Sequence, residues 1–318
     1  MDHPFNDSNL ILSHLTLTGL VRRPLIWNSY PGSVLHGALG FTLKDMSCAV
    51  EGGECDDCYL AVQCPYSLFL ETQRPEGAER MRKYNRVPSP LRLLVKPWDH
   101  PVLEAGEDVR IELVIVGKAS QYAIPVLMAL DKVLSDGIGK KDRNDERGSV
   151  QLKTICDAIR GEEIIWDQFR FDKGLPFQPV SWSELISQHP LINRIEFTSP
   201  TRIVTGGRIS SHPTIRDILS TLFRRVSNLA YFHCGVELEA KFKDLLDEAG
   251  ALTLQSEFER IKASRYSGRQ KSRFRIDGIT GIMDVTNLPD HFYPWLALGS
   301  YLGVGKGTTM GMGQYECY

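Results

Sequence analysis

Alternating apolar and polar positions predict two strands and two helices in the first half of the chain. Residues 10–20 alternate as a strand does, and a phase shift at Ser13–His14 predicts a bulge. A proline opens a helical stripe over 31–46. Clean alternation predicts a strand over 108–117, and a helix follows over 120–134. The order is strand, helix, strand, helix.

The second half shows a similar order. Residues 195–204 read as extended, and an amphipathic pattern predicts a helix over 213–229. Short strands are expected around 252–258 and 272–286, and a helix over 289–302 precedes a glycine-rich stretch and a last strand. Each half therefore predicts an α+β sandwich, in which helices cover one face of an antiparallel sheet.

The chain length suits two domains of ordinary size. At 318 residues, the repeated order divides the chain into an N-terminal domain over 1–154 and a C-terminal domain over 191–318. Residues 155–190 lack a clear period and are interpreted as a linker. The predicted fold class is α+β, with two tandem domains and a cysteine-rich insertion after the first helix.

Composition indicates a soluble globular protein. Charged residues make up 24% of the chain and hydrophobic residues 42%. The polar N-terminus lacks the pattern of a secretory signal, and the longest apolar runs are too short for a membrane span. Seven cysteines without such a signal suggest a reducing compartment rather than a disulfide framework. We expect a cytoplasmic protein.

Four cysteines lie within a short polar segment after the first helix and could form a tetrahedral metal site. One pair has C-x-x-C spacing, which places two sulfurs on one tight turn. Acidic neighbours make the segment too polar for a core of free thiols. Structural zinc is the favoured metal. An iron–sulfur cluster is the alternative, because a proline follows the last cysteine, as it does in ferredoxin-type cysteine runs. The candidate ligands are Cys48, Cys55, Cys58 and Cys64.

The distribution of charge suggests a nucleic-acid partner although the net charge is only −2. Between residues 260 and 275 seven side chains are basic and none is acidic, with Tyr266 and Phe274 interleaved. Basic groups neutralise phosphates, and aromatic faces stack on unpaired bases. A solvated basic surface is the plainer interpretation. The RNA-binding candidates taken from this segment are Arg265, Arg269, Lys271 and Arg273.

The stretch over 303–313 is a candidate phosphate-binding loop. It contains five glycines and a lysine, and glycine allows both positive φ and close approach of a ligand to backbone N–H groups. The spacing fits neither a Walker loop nor a dinucleotide fingerprint. A simple glycine-rich turn is the alternative. The candidate contacts are Gly303, Gly305, Lys306, Gly307, Gly311 and Gly313.

Several segments taken together resemble the CRISPR repeat-RNA-processing endoribonucleases, the Cas-six family of the RAMP superfamily. Their order along the chain and the terminal glycine loop carry the resemblance. The segments are PGSVLHGALG (31–40), VIVGKASQYAIPVLMAL with DGIGK (114–140), TSPTRIV (198–204), FRRVSNLA (223–230), RYSGRQ (265–270), DGITGIMDV (277–285) and the loop itself. The cysteine-rich insertion departs from the minimal pattern of the family.

The resemblance implies two ferredoxin-like domains and metal-independent cleavage of CRISPR repeat RNA. Cleavage in this family leaves a 2′,3′-cyclic phosphate on the upstream product and a 5′-hydroxyl on the other. The expected partners are repeat RNA and guide RNA. Other CRISPR effector subunits and a second copy of the chain are further candidate partners.

That reaction sets its own chemical requirements. A ribose 2′-hydroxyl must lose a proton, the leaving 5′-oxygen must gain one, and a cation must stabilise the phosphoryl charge. Histidine suits both proton transfers, and the family often keeps its catalytic histidine on the first helix. His36 is therefore the candidate acid or base, with Lys44 and Tyr30 as further catalytic candidates. His14 and His233 are the alternatives.

Two other functions remain open from the sequence. One is a non-catalytic RAMP subunit that holds guide RNA, in which His36 would be incidental. The other is a metal-stabilised nucleic-acid-binding module unconnected to CRISPR.

Overall fold

The structure is a computed structural model that describes most of the chain. It describes residues 4–27, 30–50, 55–166, 174–189, 191–262, 264–267 and 272–318, with the backbone alone at 265–267 and 272–274. Within these ranges no helix combines the length and apolar composition that a membrane crossing requires.

The described residues of the N-terminal half form one main sheet and two long helices, together with shorter elements. Its strands are β1 Ile11–Arg23, β2 Leu25–Ile26, β3 Leu91–Lys96, β4 Val102–Leu103, β5 Asp108–Val116, β6 Ser149–Asp157, β7 Glu163–Ile165 and β8 Val180–Ser181. Its helices are α1 Pro31–Ser47, α2 Pro65–Leu70, α3 Ala123–Asp136 and α4 Trp182–Ser187.

In the part of the C-terminal half that the structure describes, there is a smaller sheet and three α-helices. Its strands are β9 Arg194–Thr201, β10 Val204–Thr205, β11 Arg208–Ile209, β12 Ser256–Ile261, β13 Ser264–Ser267, β14 Ser272–Arg275, β15 Gly278–Asp284 and β16 Tyr315–Cys317. Its helices are α5 Ile215–Leu229, α6 Phe242–Gly250 and α7 Tyr293–Leu302.

Both halves have the βαββαβ topology of a ferredoxin-like domain. The N-terminal sheet runs β3-β5-β1-β6, and the C-terminal sheet runs β12-β15-β9-β16, with antiparallel neighbours throughout. In each sheet the first strand of the motif lies between the last and the third. The predicted pair of α+β domains is therefore present.

Strand β1 belongs to both hydrophobic cores. Leu12 is buried in the C-terminal core, whereas Leu15 and Leu17 are buried in the N-terminal core. Because side chains alternate between the faces of a strand, a change of buried face shifts the apolar phase without any bulge. The pairing of β1 with β5 is continuous across Ser13–His14, and the irregularities lie in the pairing of β1 with β6, at Thr18/Gly19 and Val21/Arg23. The prediction of a bulge at Ser13–His14 is therefore wrong.

The segment predicted as a linker contains ordered elements of both domains. The boundary proposed at residue 154 falls inside β6, and β7 extends the N-terminal sheet. Strand β8 pairs with β1, and Trp182 of α4 is fully buried in the C-terminal core. These elements are two to six residues long, which is too short to show a period in the sequence.

His233 joins the two domains through a buried hydrogen bond. Its Nε2 lies 2.7 Å from the carbonyl oxygen of Pro88, and burial lowers the pKa of the imidazole from 6.5 to about 4. Because the unfolded chain takes up a proton at higher pH than the folded one, we expect stability to fall as pH falls from 6.5 toward 4. Urea unfolding of wild type and His233→Gln over this range measures the effect. The variant should show a flatter pH dependence, and an unchanged slope would contradict this role for His233.

Candidate active site at the domain interface

The glycine-rich loop over 303–313 follows a path that only glycine permits at several points. Gly305 has φ +88°, and a Cβ there would lie 2.5 Å from the carbonyl oxygen of Arg202. Gly313 has φ +71°, and a Cβ there would lie 1.8 Å from the carbonyl oxygen of Val304. The loop is thus packed tightly against the end of β9 and against itself.

The backbone N–H groups of this loop fall into two sets. One set is paired within the protein: the N–H groups of Val304, Lys306 and Gly313 donate to the carbonyl oxygens of Gly313, Arg202 and Pro200 at 2.9–3.1 Å, and those of Gly303, Met310, Gly311 and Met312 donate to carbonyls of α7 and of the loop itself. The N–H groups without a hydrogen-bond partner among the described residues cluster in the middle of the loop. They belong to Gly305, Gly307, Thr308 and Thr309. Any anion bound by the loop would therefore meet the segment 305–309.

The start of α1 rests on the glycine loop. A Cβ on Gly32 would lie 2.0 Å from the carbonyl oxygen of Met310, so only glycine allows this approach. The Tyr30 hydroxyl donates a hydrogen bond of 3.1 Å to the carbonyl of Gly311, and the Tyr30 N–H donates to Ser264 of β13. Helix α1, the loop and the β13–β14 hairpin therefore meet at one place.

His36 lies one helical turn after Gly32, about 6 Å further along α1 and on nearly the same face. Its side chain is half-buried. Gly37 beside it is exposed, and a Cβ there would meet no atom within 4 Å. Gly40 differs, because Leu70 of α2 lies 3.3 Å from its Cβ position. Open space beside α1 therefore exists at Gly37, next to His36, whereas α2 fills the space at Gly40.

The other two catalytic candidates occupy different surroundings. Tyr30 is buried, and burial raises the pKa of its hydroxyl above the ordinary value, so the hydroxyl is a protonated donor to Gly311. Lys44 lies two turns beyond His36, with its Nζ 5.5 Å from the centre of the Tyr66 ring. Catalytic roles for Tyr30 and Lys44 stay predictions. The contacts show a structural role for Tyr30 and a position for Lys44 at the far end of α1.

The basic segment forms a β-hairpin next to this site. Arg265 of β13 pairs in register with Phe274, and Arg273 of β14 pairs with Tyr266. Arg269 and Lys271 lie outside the described residues. At the base of the hairpin the buried carboxylate of Asp277 accepts hydrogen bonds from two arginines, Arg275 at 2.8 Å and Arg260 at 3.4 Å. Asp277 lies just beyond the segment 260–275, which contains no acidic residue. It thus binds two of the basic residues of that segment.

Two arginines that the sequence analysis missed cap the helix preceding the loop. Arg92 of β3 is buried and donates to the Tyr301 carbonyl at 2.7 Å, and Arg225 of α5 donates to the Leu302 carbonyl at 2.9 Å. Cations stabilise the last carbonyls of a helix. Burial lowers the pKa of Arg92, and burial together with the Arg92 charge lowers the pKa of Arg225 to about 9. Arg225 therefore still carries a proton at neutral pH.

Two further cations adjoin the middle of the loop. Lys306 is exposed. Arg202 follows β9, and its buried Nε has no hydrogen-bond partner among the described residues. Arg202 was part of a segment that carried the family resemblance, but nothing in that segment singled it out.

The two alternative histidines, His14 and His233, make contacts that stabilise the structure. His233 is buried between the domains, as described above. The His14 Nε2 lies 3.7 Å from the Glu112 carboxylate, and the His14 ring packs edge-on against Tyr301. Burial alone would raise the pKa of Glu112, but the neighbouring His14 and Lys96 hold it at about 2. Glu112 is therefore an ionised partner for His14.

The four candidate metal ligands line one cavity of about 240 Å³ at the far end of α1. In the described part of the chain, no three side chains of the types His, Cys, Asp and Glu are arranged as a ready metal site. Both the structural zinc and the iron–sulfur cluster therefore stay predictions for these cysteines.

Comparisons with known proteins cover both domains. Residues 10–174, more than half of the chain, match the family model AF_1859_N, an N-terminal domain. Residues 195–315 match the family of the CRISPR-associated endoribonuclease Cas6. No curated protein matches the sequence.

Solved structures share the tandem fold over nearly the whole chain. A Cas6 product complex is 20% identical with a TM-score of 0.53, covering 97% of this chain and 99% of that one. Cas6 from Thermus thermophilus is 18% identical with a TM-score of 0.53, covering 98% and 100%. A partial Cas6-RT-Cas1–Cas2 complex is 12% identical with a TM-score of 0.59, covering 98% of this chain and 46% of that one. The match confirms the resemblance read from the sequence for the C-terminal domain: residues 195–315 match the Cas6 family of CRISPR-associated endoribonucleases, and the solved structures share the tandem fold.

Proposed function

We propose that the protein cuts CRISPR precursor RNA within each repeat by attack of a ribose 2′-hydroxyl on the adjacent phosphate, without a catalytic metal ion. The products would carry a 2′,3′-cyclic phosphate and a 5′-hydroxyl. The observation that carries the proposal is the contact between Gly32 and Met310, which holds the first turns of α1 against the glycine loop. That contact supports the proposal because it brings α1, which carries His36 one turn after Gly32, against the loop that carries the N–H groups without a partner among the described residues.

His36 would move the proton in this reaction. An imidazole has a pKa near neutrality and can either take the proton of the 2′-hydroxyl or give one to the departing 5′-oxygen. The open space over Gly37 leaves room for a ribose-phosphate strand to pass beside the ring.

The middle of the loop would bind the reacting strand. The N–H groups of Gly305, Gly307, Thr308 and Thr309 can donate to phosphate oxygens, and donors fixed in place stabilise charge that grows in the transition state. Lys306 and Arg202 would add positive charge beside them. The surrounding glycines Gly303, Gly311 and Gly313, which all have positive φ, would shape the loop.

The β13–β14 hairpin would bind the RNA outside the cleavage point. Its first strand, β13, starts next to Tyr30, so an RNA strand crossing the loop could continue onto the hairpin. Arg265, Arg269, Lys271 and Arg273 would contact phosphates. Recognition would depend on stem shape and a few unstacked bases, since the major groove of A-form RNA is too narrow for side chains to read. Guide RNA and other CRISPR subunits, as in the solved Cas6-RT-Cas1–Cas2 assembly, are proposed as further partners.

Cleavage of a single repeat RNA in EDTA tests the reaction class. We expect one cut per repeat at an unchanged rate with chelator, and no cut when the nucleotide before the scissile phosphate has a 2′-deoxyribose, because the nucleophile is then absent. A cut that needs added Mg²⁺, or that survives the 2′-deoxy substitution, would contradict the mechanism. Tight binding without any cleavage would instead favour a non-catalytic RAMP subunit.

A further inference from the structure

The four cysteines after α1 surround one cavity although they are spread over the elements that join α1 to α2. Cys48 directly follows the last turn of α1, and Cys55 begins a 3-10 turn. Cys58 follows that turn, and Cys64 is the residue before α2. We propose that Cys48, Cys55, Cys58 and Cys64 bind one Zn²⁺ as thiolates, forming a structural site that fastens the end of α1 to the start of α2.

The local backbone brings three of the thiols to the same side. The N–H of Cys58 donates to the carbonyl of Cys55 at 3.4 Å, which closes the C-x-x-C turn. A further turn follows, in which the N–H of Cys64 donates to the carbonyl of Leu60 at 3.0 Å. This is the tight-turn arrangement that presents paired thiolates to zinc.

Closing the site requires the thiol groups to move together, since no three of them are arranged as a ready metal site among the described residues. Four sulfurs bound at about 2.3 Å in a tetrahedron are roughly 3.8 Å apart. Cys48 has open space around it, because it is exposed, and its thiol donates to the nearby Val50 carbonyl at 3.2 Å. The cavity of about 240 Å³ between the four residues provides the space into which they would close.

The segment has little hydrophobic packing of its own. Among its described residues between Cys48 and Cys64, only Ala61 is buried. Tyr59 is 84% exposed and Val62 is 88% exposed. A segment that buries so little apolar surface commonly depends on a disulfide or a metal for its order.

The site would act on the catalytic helix through α2. Leu70 at the end of α2 fills the space at Gly40 of α1, one turn beyond His36. Fastening α2 to the end of α1 would therefore hold that packing together. This inference does not depend on the proposed reaction, since it concerns metal binding alone.

Metal content of the purified full-length protein tests the site. After incubation with Zn²⁺ and removal of free metal, we expect about one zinc per chain in wild type and in the control Cys156→Ser, whose thiol lies in β6. Zinc should fall at least tenfold in Cys55→Ser/Cys58→Ser. Wild type without bound zinc, zinc retained by the double variant, or iron with labile sulfide in place of zinc would each overturn the proposal.

A second measurement on wild type is independent of whether the double variant folds. With zinc bound, Cys48, Cys55, Cys58 and Cys64 should resist alkylation by iodoacetamide, and a strong chelator should restore their reactivity at least tenfold. The reactivity of Cys156 should not change. Equal alkylation of the four thiols with and without zinc would also overturn the proposal.

Discussion

Replacing His36 by alanine is expected to lower the rate of repeat cleavage by about 10²–10⁴-fold, the usual contribution of a positioned acid or base. Affinity for uncut repeat RNA should stay within a few-fold of wild type, because the backbone donors of the loop and the hairpin are untouched. Single-turnover cleavage and filter binding, each with the same RNA, separate the two effects.

Three further histidine variants sharpen this test. His212→Ala, at an exposed residue before α5, should cut like wild type and serves as the matched control. His14→Ala and His233→Ala remove the alternative histidines and should change stability more than chemistry. Undiminished cutting by His36→Ala, or complete loss in His14→Ala with a normal fold, would refute the assignment of His36.

Replacing Gly32 by alanine is expected to destabilise the protein by about 1–3 kcal/mol, the usual range for overpacking. The new methyl would lie 2.0 Å from the Met310 carbonyl oxygen, so α1 and the glycine loop would have to move apart. A displacement of about 1 Å between catalytic groups can cost a hundredfold in rate. We therefore expect a loss of cleavage larger than the loss of RNA binding.

Gly37→Ala on the same helix is the matched control for folding. A methyl there meets no atom within 4 Å, and alanine is favoured over glycine inside a helix by about 0.5–1 kcal/mol. Its unfolding midpoint in urea should rise, while that of Gly32→Ala falls. Equal stability of Gly32→Ala and wild type, with equal cleavage, would show that the contact between α1 and the loop is unimportant.

The strongly periodic parts of the chain could be predicted from sequence. The strand predicted at 108–117 is β5, and the helix predicted at 213–229 is α5, where Thr214 and Asp217 form a capping box. Strand β1 was predicted with the wrong local detail, because a change of buried face and a bulge both shift the apolar phase. Only the packing of Leu12 in the C-terminal core distinguishes a change of buried face from a bulge.

Contacts across the domain interface could not be read from the sequence. Nothing local to Arg92 indicates that its guanidinium is buried against Tyr301, more than 200 residues later. The same holds for Gly32 and Met310, since a glycine at a helix start has many explanations. The glycine loop can be predicted from the sequence because repeated glycine is unusual. Which of its N–H groups are already paired cannot, because it depends on the carbonyl groups of Pro200 and Arg202, about 100 residues earlier in the chain.

A structure of the wild-type protein with a repeat RNA that carries a 2′-deoxyribose before the scissile phosphate tests the central claim most directly. The substrate cannot react, so His36 and the reacting phosphate can be seen together. We predict that the phosphate lies within hydrogen-bonding reach of His36 or of one bridging water, with the strand bound by the N–H groups of residues 305–309. A scissile phosphate on another face of the molecule, away from both α1 and the loop, would contradict the account.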